Sequence, residues 1–121
     1  MNLTTSTRQV GEVTIVDLSG RIILGQECSS LGKLMTELLS EGHNKILLNL
    51  ADVNRIDTAG LAHMVCAFTS ARKKGGELKL LNPPEDVQAV MQITKLLRVF
   101  DVRDDEAVAV RSFDESGDRT A

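Results

Sequence analysis

The chain has 121 residues, with 14 Lys and Arg against 17 Asp and Glu for a net charge of −3, which is the size of one domain. Hydrophobic residues make up 42% and charged residues 26%, enough to fill a core and keep the surface hydrated, which argues against a disordered chain. No apolar run approaches the roughly 18 residues of a spanning helix, and residues 1–10 lack the pattern of a secretory signal, so the expected location is the cytoplasm, away from the membrane.

Residues 3–9 and 13–18, joined at Gly11-Glu12, predict two strands in a hairpin that opens the domain. Residues 26–41 carry Leu31, Leu34, Met35, Leu38 and Leu39 at steps of three and four, the repeat of one helix face, and Gly42 ends the helix. Residues 45–50 read KILLNL, the nearly continuous apolar run of a strand covered on both faces and therefore central. Residues 57–74 place Leu61, Met64, Val65, Phe68 and Ala71 on a second helical stripe, which stops at Lys73-Lys74-Gly75-Gly76, cations and then glycines. Residues 77–81 predict a strand parallel to the preceding one, since a helix connects them.

Asn82-Pro83-Pro84 opens a third helix, because proline fits a first helical turn, and Val87, Val90 and Met91 supply its buried face to about Ile93. Val99-Phe100 reads as a short edge strand. Asp104-Asp105-Glu106 starts a last helix, with acids on its positive end, reaching about Phe113. Residues 114–121 have nothing apolar to pack and predict a flexible acidic tail. Residues 101–121 hold seven acids and three bases, so the negative charge gathers at this end. The order defines an α/β fold: a single domain over residues 1–113, with a mostly parallel central sheet of about five strands, an antiparallel N-terminal strand and about four helices.

Several chemistries lack their residues. Cys28 and Cys66 have no CxxC partner spacing and read as small buried or half-buried side chains. His63 has Cys66 as its one ligand-type neighbour at helical spacing, too few donors for a metal. No GxSxG, GxGxxG or GxxxxGK[ST] occurs, so neither hydrolase nor nucleotide chemistry has a motif. With no Trp or Tyr and three Phe, stacking platforms for single-stranded nucleic acid are missing, and the acidic balance opposes a phosphate backbone. No cofactor, metal or catalytic set is expected.

The informative segment is Asn54-Arg55-Ile56-Asp57-Thr58-Ala59-Gly60-Leu61, between the central strand and the second helix, where functional groups gather in open α/β sheets. Asp57 or Thr58 has the chemistry of a helix cap, accepting from free N–H groups of the first turn, and Gly60 keeps that turn unobstructed. A hydroxyl there also has the surroundings to carry a phosphate, near unpaired N–H groups and the positive dipole end. Cap and modification site both remain open on the residues alone.

This segment, with ILLNL before it and GLAHMVCAFTSARKKGGELKLLN after it, resembles the STAS domain family, the sulfate transporter and anti-sigma factor antagonist domains. In that family the junction reads Asp-Ser-Ser-Gly-Leu or Asp-Ser-Thr-Gly-Leu, and the first hydroxyl after the aspartate is phosphorylated. The matching position is Thr58, with Thr in place of Ser, and Ala59 removes the second hydroxyl. The resemblance implies a non-enzymatic binding domain in a partner switch. Its unmodified form would bind an anti-sigma factor that is itself a serine/threonine kinase, phosphorylation at Thr58 would weaken that binding, and a serine/threonine phosphatase would reverse it. Arg55, Ile56, Asp57, Thr58, Ala59, Gly60 and Leu61 would form the contact surface, although the spacing of Leu61 with Val65 and Phe68 also suits the core. The alternative is a STAS scaffold or signalling subunit that never regulates a sigma factor directly. Self-association is left open.

Overall fold

The computed structural model describes residues 4–22, 26–93 and 101–119, with the backbone alone for residues 26–30, 63, 93, 101 and 114–119. β1 (Thr4–Val10) and β2 (Val13–Ile22) form the opening hairpin, with Val10 facing Val13 across a two-residue loop. Gly11 takes the first loop position at φ 59°, the left-handed geometry that mirror-image hairpin turns require and that glycine adopts without a Cβ clash. The chain continues through α1 (Gln26–Ser40), β3 (Lys45–Ile56), α2 (Thr58–Lys73), β4 (Glu77–Leu81), α3 (Glu85–Ile93), β5 (Asp101–Arg103) and α4 (Glu106–Arg119). Strand order in the sheet is β1-β2-β3-β4-β5. β1 runs antiparallel to β2, and every other pair is parallel.

Each parallel pair is joined by a crossover that steps one strand in the same direction. Crossovers of one hand repeated in one direction place their helices on one face. The burial pattern agrees: Val16, Leu18, Ile46, Leu48, Leu78 and Leu80 pack with Leu31 and Met35 of α1, Leu61 and Met64 of α2, and Val87 and Met91 of α3. The intervening strand residues Val13, Ile15, Leu47 and Leu81 point the other way, onto Ala109 and Phe113 of α4. β3 is therefore covered on both faces over Ile46-Leu47-Leu48, which is why that run shows no alternation.

α4 is tied to its face by polar contacts as well. Lys79, 2% exposed, reaches across from β4 and donates to the Ser112 carbonyl at 2.9 Å and to Ser112 Oγ at 2.8 Å. Its ammonium lies 4.8 Å from the centre of the Phe113 ring, a cation–π distance. At the other end of the contact, Arg8 of β1 bonds Asp17 of β2 at 2.7 Å and Glu106 of α4 at 3.0 Å. Asn49 of β3 adds a donor to Asp17 at 2.7 Å.

Three expectations change. β3 runs to Ile56 rather than ending near Leu50, because the ladder with β2 slips twice: Asp17 pairs with Asn49 but Ser19 with Asp52, and Gly20 with Val53 but Arg21 with Arg55. Each slip is a bulge that inserts a residue into β3, so its buried positions become Leu50, Val53 and Ile56, a spacing of three that is not the period of a regular strand. α4 continues to Arg119, through residues 114–119 that were expected to form a tail; helical hydrogen bonds propagate from the packed turn at Phe113 without needing apolar contacts of their own. Cys66 is exposed, since it falls off the stripe of Leu61, Met64, Ala67 and Ala71 that faces the sheet; the Cys28 side chain lies outside the described residues. The strand expected at Val99-Phe100 also lies outside them, and the described edge strand is β5.

Candidate functional site at the β3–α2 junction

The second bulge delivers the end of β3 beside the end of β2, where Ile22 pairs with Ile56. Asp57 follows as the only residue between strand and helix. Its backbone is extended, at φ −110° and ψ −179°, the usual geometry of an N-cap. Three bonds hold it: its N–H donates to the Ile22 carbonyl at 3.3 Å, its own carbonyl accepts from Leu61 N–H at 2.9 Å, and its carboxylate accepts from Gly60 N–H at 2.8 Å. Of the two cap candidates, Asp57 performs the role.

That leaves the hydroxyl of the next residue uncommitted. Thr58 is the first residue of α2 and is exposed. The N–H groups of Thr58 and Ala59 belong to the set at a helix start that has no carbonyl one turn earlier, and they carry the positive end of the helix dipole. Gly60 completes the turn against β2. A Cβ there would lie 2.0 Å from the Ile22 carbonyl oxygen, so the junction closes only around a residue without a side chain.

The expected contact residues divide by burial. Arg55 and Thr58 are exposed, and Asp57 and Ala59 are half-buried. Ile56 at 6% exposure, Leu61 at 1% and Gly60 are buried; this corrects the expectation that the junction exposes Ile56, which is still in the strand, while Leu61 takes the core place that its spacing also suited, on the sheet-facing stripe of α2. The register adds a residue that sequence reasoning did not reach. Arg21 of β2 is the direct cross-strand partner of Arg55, so two guanidinium-bearing residues stand side by side at the approach to Thr58. No sequence signal links positions 21 and 55; the pairing follows from the bulges. Among the described residues no group of three His, Cys, Asp or Glu side chains gathers as a metal site, and no helix is long and apolar enough to cross a membrane.

The arrangement defines a class: a single α/β domain whose crossover helices share one face and whose central strand ends in a capped helix with one outward hydroxyl. The family model of the STAS domain matches residues 4–109, and the chain belongs to that family. A proposed anti-sigma factor antagonist of Thermotoga neapolitana is 41% identical over 68 residues, which span 56% of this chain and 60% of the relative's length. The anti-sigma-B factor antagonist of Bacillus subtilis is 28% identical over 102 residues, 84% of this chain and 92% of that protein. Among solved structures, a proposed anti-sigma factor antagonist from Thermotoga maritima superimposes with a TM-score of 0.83 at 28% identity, covering 90% of this chain and 93% of that one. The Bacillus cell fate determinant SpoIIAA in its phosphorylated form, at 17% identity, shares the fold with a TM-score of 0.69 over 90% of this chain and 99% of that one.

Proposed function

We propose that this protein is an anti-sigma factor antagonist controlled by phosphorylation at Thr58, acting as a binding domain rather than an enzyme. In its unmodified form it docks an anti-sigma factor with serine/threonine kinase activity in the cytoplasm. The kinase adds phosphate to Thr58 and loses affinity, and a serine/threonine phosphatase resets the switch. The observation that carries this reading is the exposed Thr58 at the first position of α2, with the capping role already filled by Asp57. Relatives named as anti-sigma factor antagonists support the partner class.

The physics of the switch is local. Phosphothreonine brings roughly −1.5 to −2 charges next to Asp57, and pressing that pair against a fitted partner surface costs repulsion and desolvation. Exposed Arg55 and half-buried Asp57 and Ala59 flank the hydroxyl in the contact surface, while Ile56, Gly60 and Leu61 shape it from beneath. The test incubates the protein with candidate switch kinases, ATP and magnesium, maps the phosphate by mass spectrometry, and measures partner affinity by calorimetry. Phosphate is expected on Thr58, with Thr58→Ala binding constitutively and Thr58→Asp binding about 5- to 150-fold more weakly. Modification confined to another residue, or equal affinities for the two variants, overturns the proposal.

A further inference from the structure

β1 leaves one edge of the sheet open. It stands at the end of the strand order, with β2 as its one neighbour among the described residues, and all seven of its residues are exposed. The turn fixes which of its backbone groups point outward. In a hairpin closed by a two-residue loop, the flanking pair exchanges both backbone hydrogen bonds, and bonded and unbonded pairs then alternate along the strands. Here that pair is Val10 and Val13. Arg8, Ser6 and Thr4 therefore also bond to β2, whereas the N–H and C=O groups of Thr5, Thr7 and Gln9 point away from it. The pairing runs from Thr4 to Val10 without a register shift, so these outward groups form a regular ladder at the spacing a further strand requires.

Edge strands are ordinarily blunted by lysine, proline, a bulge or sheer shortness. β1 reads TTSTRQV and has none of these. Its one charge, Arg8, is held against its own molecule by Asp17 at 2.7 Å and Glu106 at 3.0 Å, which turns it onto the α4 face rather than across the edge. The Gln9 side chain is likewise turned back, donating to the Gly11 carbonyl at 3.3 Å. The threonines are β-branched and suit a strand. At the other end of the sheet, β5 has three residues, Asp101–Arg103, and is short enough to be protected. A sheet with one long open edge gains one strand there and then stops, which yields a closed pair and not a fibre.

The strand is also complementary to itself. Two copies running antiparallel about a twofold axis at Thr7, the middle of the outward set, bring outward groups onto outward groups: Thr7 faces Thr7, and Thr5 faces Gln9 of the second copy. Between them Ser6 faces Arg8, so the two arginines are never directly opposed, and cross-strand Thr–Thr pairs are favourable. Thr4 faces Val10, which at 37% exposure is one of two large hydrophobic side chains left exposed and gains a β-branched neighbour there. We propose that the protein forms a twofold dimer through β1, its second copy joining the two five-stranded sheets into one. β1 lies two strands from β3 in the order, so the pair leaves Thr58 in the open and does not depend on its phosphorylation. One strand pair buries less than the roughly 1,200 Å² of stable interfaces, so the association is weak and reversible.

The test is sedimentation equilibrium of the full chain from about 10 μM to 1 mM, the span of weak dimers, with backbone amide shifts followed by NMR over the same range. A monomer–dimer equilibrium is expected within it, and the shifts on dilution should be largest at Thr5, Thr7 and Gln9. Thr7→Pro removes the central outward N–H, where an edge strand tolerates proline because β2 does not use that group. Thr7→Glu keeps the N–H and sets two like charges opposite each other at the axis. Each variant should weaken the dimer about tenfold or more, since the twofold repeats every loss, with an unchanged circular dichroism spectrum. Thr7→Glu keeps the test decisive where proline disturbs the hairpin. A monomer throughout the range overturns the proposal, as does a dimer that survives Thr7→Glu or whose shifts map to another surface. β1 amides that shift only when an anti-sigma factor is added also overturn it and give the edge to that partner.

Discussion

Gly60 sits where a methyl group would lie 2.0 Å from the Ile22 carbonyl oxygen, and the obstacle is backbone, which cannot swing aside. Gly60→Ala is expected to destabilise the fold by about 1–3 kcal/mol, the cost of overpacking at a rigid site, read as a lower midpoint in urea unfolding; an unchanged midpoint would mean the end of β2 yields. Asp57 acts one bond away, through its carboxylate on Gly60 N–H. Asp57→Ala should cost about 1 kcal/mol, while Asp57→Asn, which keeps a capping oxygen, should cost less. The cap and the hydroxyl beside it were legible in the Asp-Thr-Ala-Gly spacing, because helix-start chemistry is local. The carbonyl that makes Gly60 necessary was not, since Ile22 comes from a strand 38 positions earlier in the chain.

Among elements, α4 is attached by polar contacts as well as by its apolar face. Arg8, Asp17 and Glu106 form a triangle that joins β1, β2 and the start of α4. Bonding to Arg8 holds both carboxyls below their ordinary values of 3.8 and 4.5, while the guanidinium is held more firmly protonated. Carboxyls depressed in the folded state add stability that is complete above those ordinary values and fades as pH falls through the depressed ones. All three side chains are about a third or more exposed, so solvent screening keeps the contribution small. Arg8→Gln should lower stability by about 0.5–1 kcal/mol at pH 7, with the difference from the parent closing in acid below pH 3.8; a difference independent of pH would assign the effect to packing instead. Phe113, fully buried under α4, is a larger anchor, and Phe113→Ala is expected to cost about 3–5 kcal/mol in chemical unfolding.

Over the whole molecule, protection should follow the sheet. β2 and β3 are covered on both faces, whereas every residue of β1 is exposed. Amide hydrogen exchange is therefore expected to be slowest in β2, β3 and β4 and fastest in β1, as local opening follows poor burial. A switch that works at an interface also leaves the carrier folded. Thr58→Asp should be as stable as the parent or gain up to about 1 kcal/mol from an acid on the positive end of α2, and a large loss of thermal stability would mean that charge at this position disturbs the fold itself.

The amino-acid sequence by itself determined the alternation of strands and helices, the central place of KILLNL, the antiparallel start and the capped helix after Ile56, because apolar period, turn residues and end charges act over neighbouring positions. Only the tertiary structure decided where β3 ends, that Arg21 stands beside Arg55, that Cys66 faces solvent, and that α4 takes the face opposite the other helices. Those outcomes depend on which strand lies next to which and in what register, and residues far apart in the chain acquire that relation only when the sheet closes around its core.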